Sequence, residues 1–173
     1  MILENEFVRL RALEPEDVEL LYLWENDPDT WRVSDTLAPY SRFNLEKYIF
    51  SENDIYANRQ LRLMITAKNA GAVGTIDMFD FNPTHERAGV GLLVYSKSHR
   101  RKGYATQALQ LVSEYASDIL HLHLLYCNVA ARNIESIECM RKAGFAECGR
   151  KTEWNRTAEG REDEIMFQKI LLR

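Results

Sequence analysis

The stretch VGLLVYSKSHRRKGYATQAL, residues 90 to 109, limits what this chain can fold into more than any other. Its apolar start, Val90 to Tyr95, predicts a strand, and Arg100, Arg101 and Lys102 predict a polar loop that empties through Gly103 into helix-forming sequence. Unpaired N–H groups and the dipole at a helix start both favour negative charge, so this order of residues fits a held phosphate or pyrophosphate. Gly103 would let a bulky anion approach the main chain, and the basic residues would add charge. A solvated basic turn uses the same residues. Gly89 and Gly91 lie within the preceding strand, where glycine weakens pairing and marks a bulge or a close ligand. The nucleotide-binding glycine spacings of the phosphate loop and of the dinucleotide fold are both missing.

The pattern around this segment is that of one mixed α/β domain over residues 1–173. Phe7 to Leu13 alternates as a first strand, and Glu14-Pro15-Glu16-Asp17 reads as a helix start feeding Leu20, Leu21 and Trp24. Asn26-Asp27-Pro28-Asp29 reads as its stop, followed by an irregular aromatic stretch from Trp31 to Phe43 and a helix near Leu45 to Phe50. Leu61, Leu63 and Ile65 alternate as a strand that turns at Asn69-Ala70-Gly71 into Val73 to Phe81, giving an antiparallel meander. After Gly103 the period changes, and Ala105, Ala108, Leu109, Val112, Ala116 and Ile119 fall on one helical face. Leu124 to Val129 follows as a strand one helix removed from its predecessor, the spacing of parallel neighbours. Asn133 and Gly144 bound a further helix, and Phe145 to Trp154 and Glu164 to Leu172 close the chain as strands around Thr157-Ala158-Glu159-Gly160.

Composition removes several function classes. A chain of 173 residues buries roughly 70% of its unfolded surface, so a core forms without staples. No apolar run reaches the roughly 18 residues that span a bilayer, which argues against a membrane partner. The acidic start MILENEFVRL does not fit a signal peptide, and Cys127, Cys139 and Cys148 have neither disulfide nor metal spacing, so the expected location is cytoplasmic. A formal net charge of −4 argues against a nucleic-acid partner and suits a cationic substrate. His121 and His123 lack a third ligand, and no metal is expected.

At Arg100-Arg101-Lys102-Gly103-Tyr104-Ala105 the chain resembles the GNAT acetyltransferases, whose signature is Gln or Arg, two residues, Gly, one residue, then Gly or Ala. A second segment, Asn133-Ile134-Glu135-Ser136 through Arg141-Lys142-Ala143-Gly144-Phe145, is similar to another part of that family. The likeness runs from Val8 to Leu172, and VRLRALEPEDVELL resembles the branch of spermidine and ribosomal-protein alanine acetyltransferases. It implies an α+β fold with a mixed, mostly antiparallel central sheet, splayed between strands 4 and 5 and flanked by helices on both faces. It implies acetyl-coenzyme A as donor, with main-chain groups of Leu93, Val94 and Tyr95 along the pantetheine, Arg100, Arg101, Lys102, Gly103, Tyr104, Ala105 and Thr106 around the pyrophosphate, and Asn133 at the pantetheine arm. Asn133 equally suits a plain helix cap. Relatives commonly pair through sheet edges and helices, so a homo-oligomer is an expectation.

The implied reaction is attack of a neutral amine on the thioester, which requires a proton to leave an ammonium of pKa about 10. Many relatives donate a proton to the departing thiolate from a tyrosine, and the matching residue here is Met140, which cannot. Ser136, one turn earlier, is the candidate donor, with Tyr126 and Cys139 as alternatives. Asp77 and Asp80 resemble in placement the carboxylates that face the amine in polyamine-acetylating relatives, and Asp77 is the candidate base, although aspartate within a strand also marks an edge or bulge. Glu153, Asp163 and Glu164 could add negative potential, and Trp31, Tyr40 and Trp154 could wall the pocket. The expected acceptor is a small polyamine-type amine; a protein N-terminus, an aminoglycoside-like amine and a non-catalytic coenzyme-binding module are the alternatives.

Overall fold

Seven strands run in the order β1 (Val8–Arg11), β2 (Leu61–Ala67), β3 (Gly71–Asn82), β4 (Arg87–Val94), β5 (Leu124–Ala130), β6 (Ala146–Thr157) and β7 (Gly160–Ile170) along the chain. In space they form one sheet, β1-β2-β3-β4-β5-β7-β6, antiparallel everywhere except between β4 and β5. The helices are α1 (Val18–Glu25), α2 (Pro28–Ser34), α3 (Arg42–Phe50), α4 (Ile55–Asn58), α5 (Tyr104–Asp118) and α6 (Ile134–Lys142). This computed structural model describes residues 3–34, 36–51 and 54–171. Met1 and Ile2 of the N-terminal stretch, and Leu172 of the expected last strand, lie outside the described residues.

The two faces of the sheet carry separate apolar clusters because side chains alternate along each strand. Leu63, Ile65, Ile76, Met78 and Val90 pack with Ala108, Leu109, Val112 and Ala116 of α5 and with Ile137 and Met140 of α6. Met64 points the other way, into a cluster with Leu13, Val18, Leu21, Leu45 and Ile49 from the α1 and α3 side. Helices therefore cover both faces, as the resemblance implies. Ile119, read as the end of the α5 stripe, lies past the helix as its C-cap and is exposed. The end of α6 follows the residue pattern closely. Gly144 takes φ +86°, and the N–H groups of Gly144 and Phe145 close on the carbonyls of Arg141 and Met140.

The main departure lies between residues 26 and 43. Pro28 does not merely stop α1; it opens α2, where a missing N–H is harmless, and Trp31 is helical. The Trp31 indole donates to the Glu25 carbonyl at 2.7 Å, closing the end of α1. Helix α3 begins at Arg42, with the Ser41 hydroxyl accepting from Asn44 N–H. The short helix α4, capped by Asp54, is an addition to the pattern read from sequence.

The entry to α1 depends on Asp17, which is buried at 6% exposure. Its carboxylate takes two hydrogen bonds from Arg11, at 2.7 and 2.9 Å, and one from Glu14 N–H at 2.8 Å. Burial pushes its pKa up, but the Arg11 and Glu14 bonds outweigh that and leave it below the usual carboxylate value. A depressed folded-state pKa contributes stability above the unfolded value, near 4, that is lost as pH falls through the folded value. Asp17→Ala is expected to cost about 2 kcal/mol at pH 7 in urea unfolding, and the difference from wild type should close below pH 4.

Candidate functional site

The site begins where two parallel strands part. β4 and β5 pair at three positions, Arg87 with Leu124, Ala88 with Leu125 and Gly89 with Tyr126, and both strands then continue without each other. β5 remains on β7 as far as Ala130, and β4 remains on β3 as far as Val94. Tyr95 N–H donates to the Val73 carbonyl at 3.2 Å, so the main chains of Tyr95 and Leu93 face β3. Main-chain groups alternate sides along an antiparallel ladder. Val94 and Leu92 therefore turn theirs toward the gap.

Gly89 has a different explanation from the ligand contact or bulge read from sequence. A Cβ there would overlap the Phe79 ring, which lies across the strand, while Gly91 would meet that ring only at an ordinary 3.7 Å. Phe79 in turn meets Tyr126 edge to face at 6.2 Å. The irregularity in this hairpin sits further along, between Phe79 and Asn82, where Asp80 has φ +49°.

Beyond the gap, a single 3-10 turn (Lys97–His99) leads to the basic loop and α5. Gly103, the N-cap, takes φ +82°, and the first α5 bond runs from Gln107 N–H to its carbonyl at 3.0 Å. The amides of Tyr104, Ala105 and Thr106 precede that bond, as first-turn amides must, and their direction suits an anion. A Cβ on Gly103 would meet nothing within 4 Å; backbone conformation selects glycine here. The three basic residues behave differently. Arg100 donates through Nε to the Val94 carbonyl at 3.0 Å and through Nη2 to the Tyr95 carbonyl at 3.4 Å. Arg101, at φ +60°, bonds Glu135 at 2.6 Å on the surface, and Lys102 is exposed. The Tyr104 side chain is buried and donates to Asn69 Oδ1 at 2.9 Å, so its own part is to tie the start of α5 to the β2–β3 turn.

Across the gap, Asn133 caps α6 through Oδ1, accepting from Ser136 N–H at 3.1 Å. Ser136 is half-buried in that first turn, and Met140 is buried in the α5-side core. Cys139, whose pKa is raised by burial, reaches Thr106 Oγ1 at 3.7 Å. Tyr126, also raised by burial and by Asp80, donates to Asp80 at 3.2 Å.

Asp77 does not stand alone. Its two oxygens are held by Arg62, from Nε at 2.7 Å and Nη2 at 3.1 Å, and the third arm of Arg62 reaches Glu25 Oε1 at 2.7 Å. Tyr95 donates to the same Glu25 oxygen at 3.1 Å and lies 3.3 Å from Thr75 Oγ1. Its ring stacks on Trp24 at 4.3 Å. Burial, then the Glu25 charge, pushes the Tyr95 phenol far above its usual range, so it remains a neutral donor. The Arg62 guanidinium is fixed in its charged form, the cost of burial being outweighed by Asp77 and Glu25. Glu25 and Arg62 escaped the sequence reading. An acid at the end of α1, against the helix dipole, was the available signal. Asp77 belongs to the sheet face under α1, and Ser136 to α6 on the other face, with the gap between their elements.

A cavity of about 430 Å³ adjoins this network, walled by Trp24, Thr30, Tyr95, Ser96, Lys97 and Arg100 with Asp27 and Asp29 at its edge. A second, of about 300 Å³, lies between α5 and α6 beside Lys142 and Lys169. Trp154 is exposed on the β6–β7 hairpin with Lys151 over its ring, and neither cavity uses it. Among the described residues, no group of three or more His, Cys, Asp or Glu side chains is placed to hold a metal ion.

Residues 8–146 match the family described as acetyltransferase (GNAT) domain. The probable N-acetyltransferase YjcK of Bacillus subtilis is 33% identical over 87 residues, 50% of this chain and 48% of that protein, so the match spans about half of that relative. The uncharacterized N-acetyltransferase p20 of Bacillus licheniformis is 25% identical over 99% of this chain and 96% of its own length. Among solved structures, spermidine N-acetyltransferase from Vibrio cholerae in complex with CoA and spermine superposes with a TM-score of 0.84 at 22% identity, covering 96% of this chain and 97% of that one. A dodecameric structure of the same enzyme gives a TM-score of 0.77 at 22% identity, covering 96% and 95%. At these identities the superpositions speak for the fold.

The Arg62 cluster yields a direct test. Removing the guanidinium leaves two carboxylates facing each other with Glu25 buried, a loss expected to cost about 3 kcal/mol. Arg62→Met should show that loss in urea unfolding, and the double variant Arg62→Met with Glu25→Gln should recover part of it. An Arg62→Met variant as stable as wild type would contradict the network.

Proposed function

The chain belongs to the GNAT family of acetyl-coenzyme A-dependent N-acetyltransferases, and on that premise we propose that it acetylates a primary amine of a small polycation. Acetyl-coenzyme A supplies an activated acetyl group when bound. The residues at the gap fit that donor: the Val94 and Leu92 main chains are turned outward, the α5 amides are free of intrahelical partners, and a basic loop joins the two. In this reading Leu93, Val94 and Tyr95 shape the wall along the pantetheine, and Val94 supplies the hydrogen bonds. Arg100, Arg101, Lys102, Gly103, Ala105 and Thr106 receive the diphosphate, with Tyr104 holding the helix start in place. Asn133 lines the far side as the α6 cap.

The observation that carries the acceptor class is the cluster of buried Glu25 with half-buried Arg62 and Asp77. Two carboxylates against one guanidinium leave one negative charge in a partly solvent-shielded setting beside the end of β4, which favours an ammonium. The Vibrio cholerae enzyme with the same fold carries spermine together with CoA, which supports the same class. Asp77 and its partners draw the ammonium in, and the proton leaves its nitrogen toward Asp77. The amine nitrogen then bonds the acetyl carbon as the carbon–sulfur bond breaks, and the proton that nitrogen still has to lose passes to Ser136 as Ser136 gives its own to the sulfur, in place of the tyrosine that Met140 replaces. A homo-oligomer remains part of this reading, in keeping with the dodecamer formed by that neighbour.

Free coenzyme A release measured over spermidine, spermine, putrescine, an alanine-terminated peptide and an aminoglycoside tests the acceptor. The expected result is a kcat/KM at least tenfold higher for the polyamines; release with the peptide alone, or tight coenzyme binding with no release, would overturn it. Asp77→Ala is expected to lower kcat/KM for the amine by about 10²-fold while coenzyme affinity stays within twofold, since general-base contributions are of that order.

A further inference from the structure

Of the two glycines within β4, one is required by the fold and the other is not. Gly89 makes room for the Phe79 ring, whereas Gly91 has no left-handed backbone, and a Cβ built on it meets, among the described residues, only Phe79 Cε1 at an ordinary 3.7 Å. An alanine would fit the strand. Glycine inside a strand weakens it and packs against nothing, so a bare position that neither a turn nor packing requires marks the close approach of a ligand. The register places that ligand. Gly91 lies directly opposite Asp77, so both positions present to the same face of the sheet. On its other side β4 has already left β5, their last pair being Gly89 with Tyr126. Position 91 therefore stands between the Asp77 carboxylate and the gap, and Phe79 and Tyr126, edge to face at 6.2 Å, close the strip at the end where the strands are still paired.

From this placement we infer that Gly91 is a specificity-determining residue for the acceptor: its bare main chain is the floor over which an amine held at Asp77 reaches the gap, and it sets how much substitution is accepted at the carbon next to the nitrogen. The inference rests on the acceptor reading proposed above. An unbranched amine end presents only hydrogens to that floor. A side chain at position 91 and a branch on the carbon beside the nitrogen would compete for the same space, so adding both costs more than adding either. The donor is not touched by the change. Main-chain groups alternate along β4, and those of Gly91 face β3 together with those of Leu93 and Tyr95, so a new side chain at 91 leaves the groups turned toward the gap in place.

Coenzyme A release by wild type, Gly91→Ala and Gly91→Val, measured with spermidine and with spermidine methylated at both carbons that bear primary amino groups, reads that space. For Gly91→Ala the expected result is that the ratio of kcat/KM between the two acceptors widens by about tenfold in favour of plain spermidine, the order that one methyl group is worth in a fitted site. Gly91→Val should lower kcat/KM for both acceptors by about 10²-fold. Calorimetric titration should give a coenzyme A affinity within twofold of wild type for the alanine variant, and an unfolding midpoint at or above that of wild type establishes that it is folded. An unchanged acceptor ratio in folded Gly91→Ala overturns the inference, and so does a parallel loss of coenzyme A affinity, which would assign position 91 to the donor. Wild type that binds coenzyme A and acetylates no amine removes the acceptor reading and the inference with it. Wild type that acetylates peptides alone removes only the polyamine class, and the same ratio, read with glycine-terminated and alanine-terminated peptides, then decides the role of Gly91.

Discussion

The gap in this sheet depends on β4 and β5 staying together for only three residue pairs. A parallel pair that continued would bury its own main-chain groups and leave nothing for a ligand. Separation is tolerable because each strand keeps a full partner on its other side, β3 for β4 and β7 for β5. The α5-side core, from Val90 and Ala108 to Leu125 and Phe167, passes behind the parting and holds the two halves of the sheet at fixed distance. The rim of this opening carries main-chain donors and acceptors whose cost of desolvation is met when a ligand pairs with them.

The second constraint is the charge network on the opposite face. Arg62 is held by carboxylates from two other elements, so the end of α1, strand β2 and strand β3 cannot shift independently. Tyr95, just past the end of β4, joins that network through its hydroxyl, which donates to Glu25, and its ring stacks on Trp24. In the proposed reading, the donor side and the acceptor side of the gap are therefore connected at one residue.

Much of the local structure around the gap was legible because glycine, charge and helix periodicity act locally: Gly103 and Gly144 both take the left-handed conformation that their positions required. Position 89 shows the limit of such reading, since its glycine answers to Phe79 on the neighbouring strand. The partners of Asp77 were hidden for a geometric reason. Continuing the register from the turn, where Ala67 faces Gly71, would set Arg62 opposite Ile76 and on the wrong face. A one-residue irregularity between Ile65 and Thr66 moves it onto Asp77. Nothing in the composition of β2 announces that irregularity, and the partner Glu25 is 37 residues away. Pro28 misled for a simpler reason, because proline ends one helix and begins another with equal ease.

Amide hydrogen exchange with and without coenzyme A tests the central claim most directly, because it reports where the donor lies residue by residue. Protection is expected at the amides of Leu92 and Val94, and at Tyr104, Ala105 and Thr106 at the start of α5, with Tyr95 little changed because its N–H is already bonded to Val73. Protection confined to the cavity between α5 and α6, or none along the facing edges of β4 and β5, would contradict it.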